Sequence, residues 1–113
     1  HQHIVGFVDT FEVEGIVGLL MEYAAAGDLG SAIAKRVSSG RTRFPESQIT
    51  KLCVQLAAAL DHLHESVQLL HRDIKPANVL VSSRGVAKLA DFGRSKEFDE
   101  SWKKKELSKI MSI

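Results

Sequence analysis

Residues 71–80 read HRDIKPANVL, and residues 90–93 read ADFG. The first stretch sets two basic side chains, an acid, a proline and an amide between apolar runs. A loop that had only to reverse direction could use Gly, Asn or Ser instead. Asp91 follows Asn78 after NVLVS, a turn at Ser83–Gly85 and VAKLA, a pattern that predicts a short hairpin. A hairpin returns the chain to its start, so Asn78 and Asp91 can face one cavity at its open end. An amide oxygen and a carboxylate meeting there, with water and phosphate oxygens, suit Mg²⁺, a hard ion that keeps few protein ligands. Lys75 adds a mobile cation that could neutralise a transferred phosphoryl group. Asp73 is the acid left over, positioned to accept a hydroxyl proton.

The elements around these loops must hold them. HIVGFVDTFEVEG predicts a strand closed by a tight turn at Glu14-Gly15. IVGLLMEYA (16–24) predicts a second strand, antiparallel to the first and buried on both faces by its continuous apolar character. Asp28 is a candidate N-cap for a short helix ending near Lys35–Val37, and SSGRTR (38–43) is a polar loop. The strongest helix signal is FPESQITKLCVQLAAALDHLHES. There Pro45 sits where a first turn tolerates it, Glu46 complements the dipole, and Ile49, Leu52, Cys53, Leu56, Leu60 and Leu63 recur on one face. Cys53 on that face reads as a small core residue. His62 and His64 sit near the helix C-terminus, where histidine is favourable without any metal role. The tail after Gly93 is charged and weakly amphipathic, and its KKKE reads as a solvated charge run.

The spacing H-R-D-x-x-x-x-N followed by D-F-G resembles the protein-kinase pattern. From His3 to Gly93 the chain resembles the middle of a eukaryotic protein kinase domain. LLMEYAAAGDL and the hydrophilic insert before FPESQ look most like the NIMA-related or a similar serine/threonine group, and KPAN resembles serine/threonine kinases more than tyrosine kinases. The resemblance implies a partial α+β kinase fold. Residues 1–22 would end the small lobe, 23–93 would form the hinge and first part of the large lobe, and 94–113 a truncated or divergent activation segment. It implies MgATP-dependent transfer of the γ-phosphoryl group to a protein Ser or Thr hydroxyl. Asp73 and Lys75 would be catalytic, and Asn78 and Asp91 the Mg²⁺ ligands. ATP would be held by backbone groups of Glu22 through Ala24, by Asp28 at the ribose and by Leu80 beneath the adenine. Met21 would control access behind the adenine, and His71 and Phe92 would stack between the lobes. Arg72 would pair with an activation-segment phosphate, for which the tail offers Ser95, Ser101, Ser108 and Ser112. Asp28 serves equally well as a helix cap, and Met21 and Leu80 would be core residues in any fold.

The chain has 113 residues, 44% hydrophobic and 26% charged, with a net charge of +1, which suits an ordinary globular chain of at most one domain. The near-neutral charge gives no case for nucleic acid as a bulk electrostatic partner. One cysteine excludes an internal disulfide and fits a reducing, intracellular and cytoplasmic setting. No apolar run has the length of a membrane span. No leader is visible, and the absence of an initiator Met suggests an internal piece of something longer. G-x-G-x-x-G, a strand lysine of the V-A-I-K type and A-P-E are all missing, so the isolated chain is expected to be inactive and poorly soluble. Two other readings stay open: a truncated, non-catalytic kinase-like module that binds or regulates partners, and a small-molecule phosphotransferase of the same fold.

Overall fold

The computed structural model describes residues 1–41 and 43–111; Thr42 of the polar loop and Ser112 of the candidate phosphosites lie outside the described residues. Strands β1 (Phe7–Val13) and β2 (Ile16–Met21) form an antiparallel pair. Glu14 and Gly15 join them at φ 51° and 79°, and two left-handed residues in a two-residue loop match the natural twist of a hairpin. Phe11 lies opposite Gly18, where a Cβ would run into the aromatic ring. Glycine therefore lets the ring cover the neighbouring strand.

The burial expected for β2 is not met: Val17 is 70% exposed and Leu19 62%. A two-stranded ribbon has no layer packed on either face. Its continuous apolar run records what the strand is suited to bury, and no described residue covers it.

Helix α1 (Leu29–Ser38) starts at the Asp28 cap as expected and runs to the edge of the polar loop. Helix α2 (Glu46–Asp61) has Pro45 as its N-cap residue and Glu46 in its first turn. The helix then widens into one π-helical stretch, His62–Val67, and stops at Gln68, whose φ is 58°. The predicted apolar face is narrower than its periodicity suggested. Leu52, Leu56, Ala59, Leu60 and Leu63 pack inward, whereas Ile49 and Cys53 are exposed, so the core reading of Cys53 is corrected. The elements against this helix are too few to cover a full-width face.

Strand β3 (Leu69–Leu70) pairs with β6 (Lys96–Glu97), and β4 (Val79–Val81) with β5 (Ala87–Leu89), both antiparallel. Helix α3 (Glu100–Met111) takes up most of the charged tail. The core is small: Ala59 and Leu63 meet Val79, Ala87 and Leu89 of the hairpin. The radius of gyration is 16.9 Å, against about 13 Å for a compact chain of this length. Accessible surface totals 8373 Å², against roughly 6,100 Å² for a compact monomer of this mass. The fold is an α+β arrangement with one well-packed part, and that part carries the loops of interest. Among the described residues no helix is long and apolar enough to cross a membrane.

Candidate active site

The β4–β5 hairpin sets the site. Its register pairs Val79 with Leu89, and the Ala90 N–H donates to the Asn78 carbonyl at 2.9 Å. Asn78 and Asp91 therefore flank the open end of the hairpin. Before β4, Pro76–Asn78 form a single 3₁₀ turn, and Asn78 is buried. Its side-chain Nδ2 donates to the Asp73 carbonyl at 2.8 Å and to the Asp73 carboxylate at 3.1 Å. That fixes which way the amide faces and leaves Oδ1 as its free acceptor. Lys75 Nζ lies 3.6 Å from the same Asp73 carboxylate, with its side chain half exposed.

His71 is the hub behind these groups. It is 1% exposed; its Nδ1 accepts the Asp73 N–H at 3.2 Å and its Nε2 donates to the Ala90 carbonyl at 2.8 Å. One imidazole ring thus ties the two loops together, with its proton on Nε2. Phe92 packs against it with ring centroids 5.0 Å apart and planes at 65°, an edge-to-face contact.

Arg72 and Asp91 flank the hub with φ of 66° and 58°. Left-handed backbone at a non-glycine residue costs about 1 kcal/mol and persists where the surroundings over-determine it. At Asp91 the Oδ1 atom accepts the Gly93 N–H at 3.1 Å, a local bond that makes this conformation tolerable for an aspartate. At Arg72 the Nε donates to the Arg94 carbonyl at 2.7 Å, linking the loop to the segment beyond Gly93. The Asp91 side chain is exposed and bonds to none of Asp73, Lys75 or Asn78, so its second oxygen stays open.

Asp28 acts as the helix cap. Its two oxygens accept the Ser31 N–H at 2.8 Å and the Ser31 hydroxyl at 2.7 Å. The Ser31 backbone bond, ahead of the hydroxyl bond, holds its carboxyl below the ordinary value of 3.8. Asp28 also bridges to Leu80 of β4, so those two candidates are neighbours. The Glu22 N–H is spent on the Gly6 carbonyl at 2.8 Å, and the Ala24 carbonyl accepts from Gly27 at 3.1 Å. The Glu22 carbonyl and the Ala24 N–H have no hydrogen bond among the described residues and could take the edge of a planar base. Met21 ends β2 in an exposed position. Lys88 of β5, unnoticed in the sequence, pairs with Glu22; a lone charge inside the apolar run VAKLA was the available signal.

The donor set fits Mg²⁺. Asn78 Oδ1 and the open Asp91 oxygen are hard ligands, and no group of three His, Cys, Asp or Glu among the described residues could hold a metal ion alone. Two protein oxygens leave positions for phosphate oxygens and water, which is how Mg²⁺ is usually held beside a nucleotide.

An α+β chain whose HRD loop and DFG turn are locked together by a buried histidine is of the protein-kinase class. The sequence model of the protein kinase domain matches residues 1–110, continuing past Gly93 through the tail. The chain belongs to the protein kinase domain family. It is 38% identical over 104 residues to Dual specificity mitogen-activated protein kinase kinase 1 of Dictyostelium discoideum, covering 92% of this chain and 15% of that protein. It is 39% identical over 102 residues to Serine/threonine-protein kinase nekl-2 of Caenorhabditis elegans, covering 86% of this chain and 28% of that protein. The chain therefore spans well under a third of the length of these curated relatives.

Proposed function

We propose that this chain supplies the catalytic loop and metal ligands of a serine/threonine protein kinase, which transfers the γ-phosphoryl group of MgATP to a protein hydroxyl inside the cell. Residues 1–22 serve as the end of the small lobe, 23–93 as hinge and catalytic loops, and 94–113 as an activation segment. The carrying observation is the double donation of Asn78 Nδ2 to Asp73, beside the Ala90-to-Asn78 backbone bond. It supports reading Asn78 as a metal ligand oriented from the candidate base, with Asp91 next after Ala90 at the open end of the hairpin.

Asp73 accepts the hydroxyl proton of the substrate through its carboxylate, held by the Asn78 amide. Lys75 releases Asp73 to steady the phosphoryl oxygens, a movement that its half-exposed, 3.6 Å ion pair permits. Asn78 Oδ1 and Asp91 would hold Mg²⁺, which would neutralise charge on the phosphates. The Glu22 carbonyl and Ala24 N–H take the adenine edge, and Leu80 packs below the ring. KPAN and the name of the nematode relative favour a Ser or Thr acceptor; the name of the Dictyostelium relative makes dual specificity the arm to test.

The test is phosphate transfer from radiolabelled ATP to a generic protein by the protein that carries this segment, followed by phosphoamino-acid analysis. Labelled serine or threonine is expected, with Asp73→Asn lowering kcat by roughly 10²- to 10⁴-fold. Turnover that survives Asp73→Asn and Asp91→Ala overturns the reading.

A further inference from the structure

The β4–β5 hairpin is flanked on both sides by the arms of the β1–β2 hairpin. Residues 3–5 run parallel to β5, with the Leu89 N–H donating to the His3 carbonyl at 2.9 Å and the Val5 N–H to the Leu89 carbonyl at 3.0 Å. Residues 26–28 run antiparallel to β4, with the Ala26 N–H donating to the Val81 carbonyl at 3.0 Å and the Val81 N–H to the Gly27 carbonyl at 2.8 Å. Short ladders of this kind fix register over only a few residues.

One side chain ties both arms to the β4–β5 hairpin. Lys88 Nζ donates to Glu22 Oε1 at 2.9 Å and to the Gln2 carbonyl at 2.9 Å. The other Glu22 oxygen accepts the Gly6 N–H at 2.8 Å. A Cβ at Gly6 would sit 2.7 Å from that oxygen, so glycine makes room for the bond. The Lys88 side chain is 16% exposed and that of Glu22 35%, so the pair is only partly shielded from solvent. The bond from Lys88 also draws the Glu22 carboxyl below its ordinary value of 4.5, with the Gly6 N–H acting in the same direction.

We propose that Lys88 is a positioning residue for adenine nucleotide: by gripping the Glu22 carboxylate it sets the distance between the Glu22–Ala24 backbone and Asp91. The inference rests on the nucleotide reading given above. A nucleotide has a base end and a phosphate end, and here they meet two separate parts of the chain. Both ends gain from being joined only when the two half-sites are spaced to match, as for any bivalent ligand. Asp91 follows Lys88 by three positions on the same strand exit, so the brace acts directly on that spacing.

Calorimetric titration of the protein that carries this segment with MgATP and, separately, with magnesium tripolyphosphate tests this. Lys88→Met is expected to weaken MgATP binding roughly tenfold while leaving tripolyphosphate within about twofold, because only the base end is mispositioned. Lys88→Arg keeps the bond to Glu22 and is expected to hold both affinities near those of the unaltered chain. Equal losses for the two ligands, or MgATP binding that Lys88→Met leaves unchanged, overturn the inference alone. Failure of the unaltered protein that carries this segment to bind MgATP overturns the nucleotide reading and this inference with it. Should Lys88→Met not fold, Glu22→Gln decides by the same ratio of affinities, with selective loss of MgATP supporting the brace and unchanged or equal loss ending it.

Discussion

The two hairpins of this chain are built from similar apolar residues and meet opposite fates. In β4–β5, Val79, Ala87 and Leu89 are buried against Ala59 and Leu63, and the buried side-chain polar atoms among the described residues have partners. In β1–β2, Phe7, Phe11, Ile16, Val17 and Leu20 face solvent. Hydrophobic sequence gives a strand a demand for cover, and only a second layer meets it. The site sits on the hairpin whose demand is met inside the chain. Its register is regular, whereas the other hairpin carries an irregularity between Phe7 and Asp9 and is tied to the rest through its arms and Lys88.

Substitutions can break this contrast, beginning with the largest effect. His71→Ala removes a buried ring and strands the Ala90 carbonyl and the Asp73 N–H. It is expected to cost about 3–4 kcal/mol by urea denaturation, and a cost below about 1 kcal/mol would deny the histidine its role as hub. Next, Leu89→Ala should cost about 3 kcal/mol, whereas Leu19→Ala on the open hairpin should stay within about 0.5 kcal/mol. Equal costs would mean that β2 is covered in solution. Asp91→Ala removes the Gly93 bond that makes φ 58° tolerable and should cost about 1 kcal/mol in urea, while removing binding of Mg-nucleotide.

The smallest effect is in pH. The Asp28 carboxyl lies below its ordinary value in the folded chain, so its cap contributes above about pH 4 and is lost as the pH falls through the lowered value. Helical circular dichroism of the unaltered chain should therefore drop more between pH 5 and about pH 2 than that of Asp28→Asn, which caps without titrating. Parallel curves would show that Asp28 does not carry the cap.

These contrasts mark what the sequence could and could not convey. The loop at 71–80, the DFG turn, the β4–β5 hairpin and the Asp28 cap were legible because each is a local pattern with its own chemistry. The β3–β6 pair was not: two residues joined to two others across more than twenty positions leave no local trace. The π-helical end of α2 was hidden as well, since LDHLHES carries an ordinary helical period. Exposure of Cys53 and β2 depends on which neighbours exist, and periodicity reports only which face would accept them. Lys88 was visible as a charge in an apolar strand, but its partner Glu22 lies 66 positions away in sequence.

The central claim is that Asn78 and Asp91 close on one metal-nucleotide site with Asp73 beside it. Paramagnetic broadening by Mn²⁺–ADP, read in the amide spectrum of the chain, tests it most directly. The account predicts that the Asn78 side-chain amide and the Gly93 N–H broaden together, and that Asp91→Ala abolishes both. Broadening centred on the acidic stretch 97–100, or at one of the two positions without the other, would contradict it.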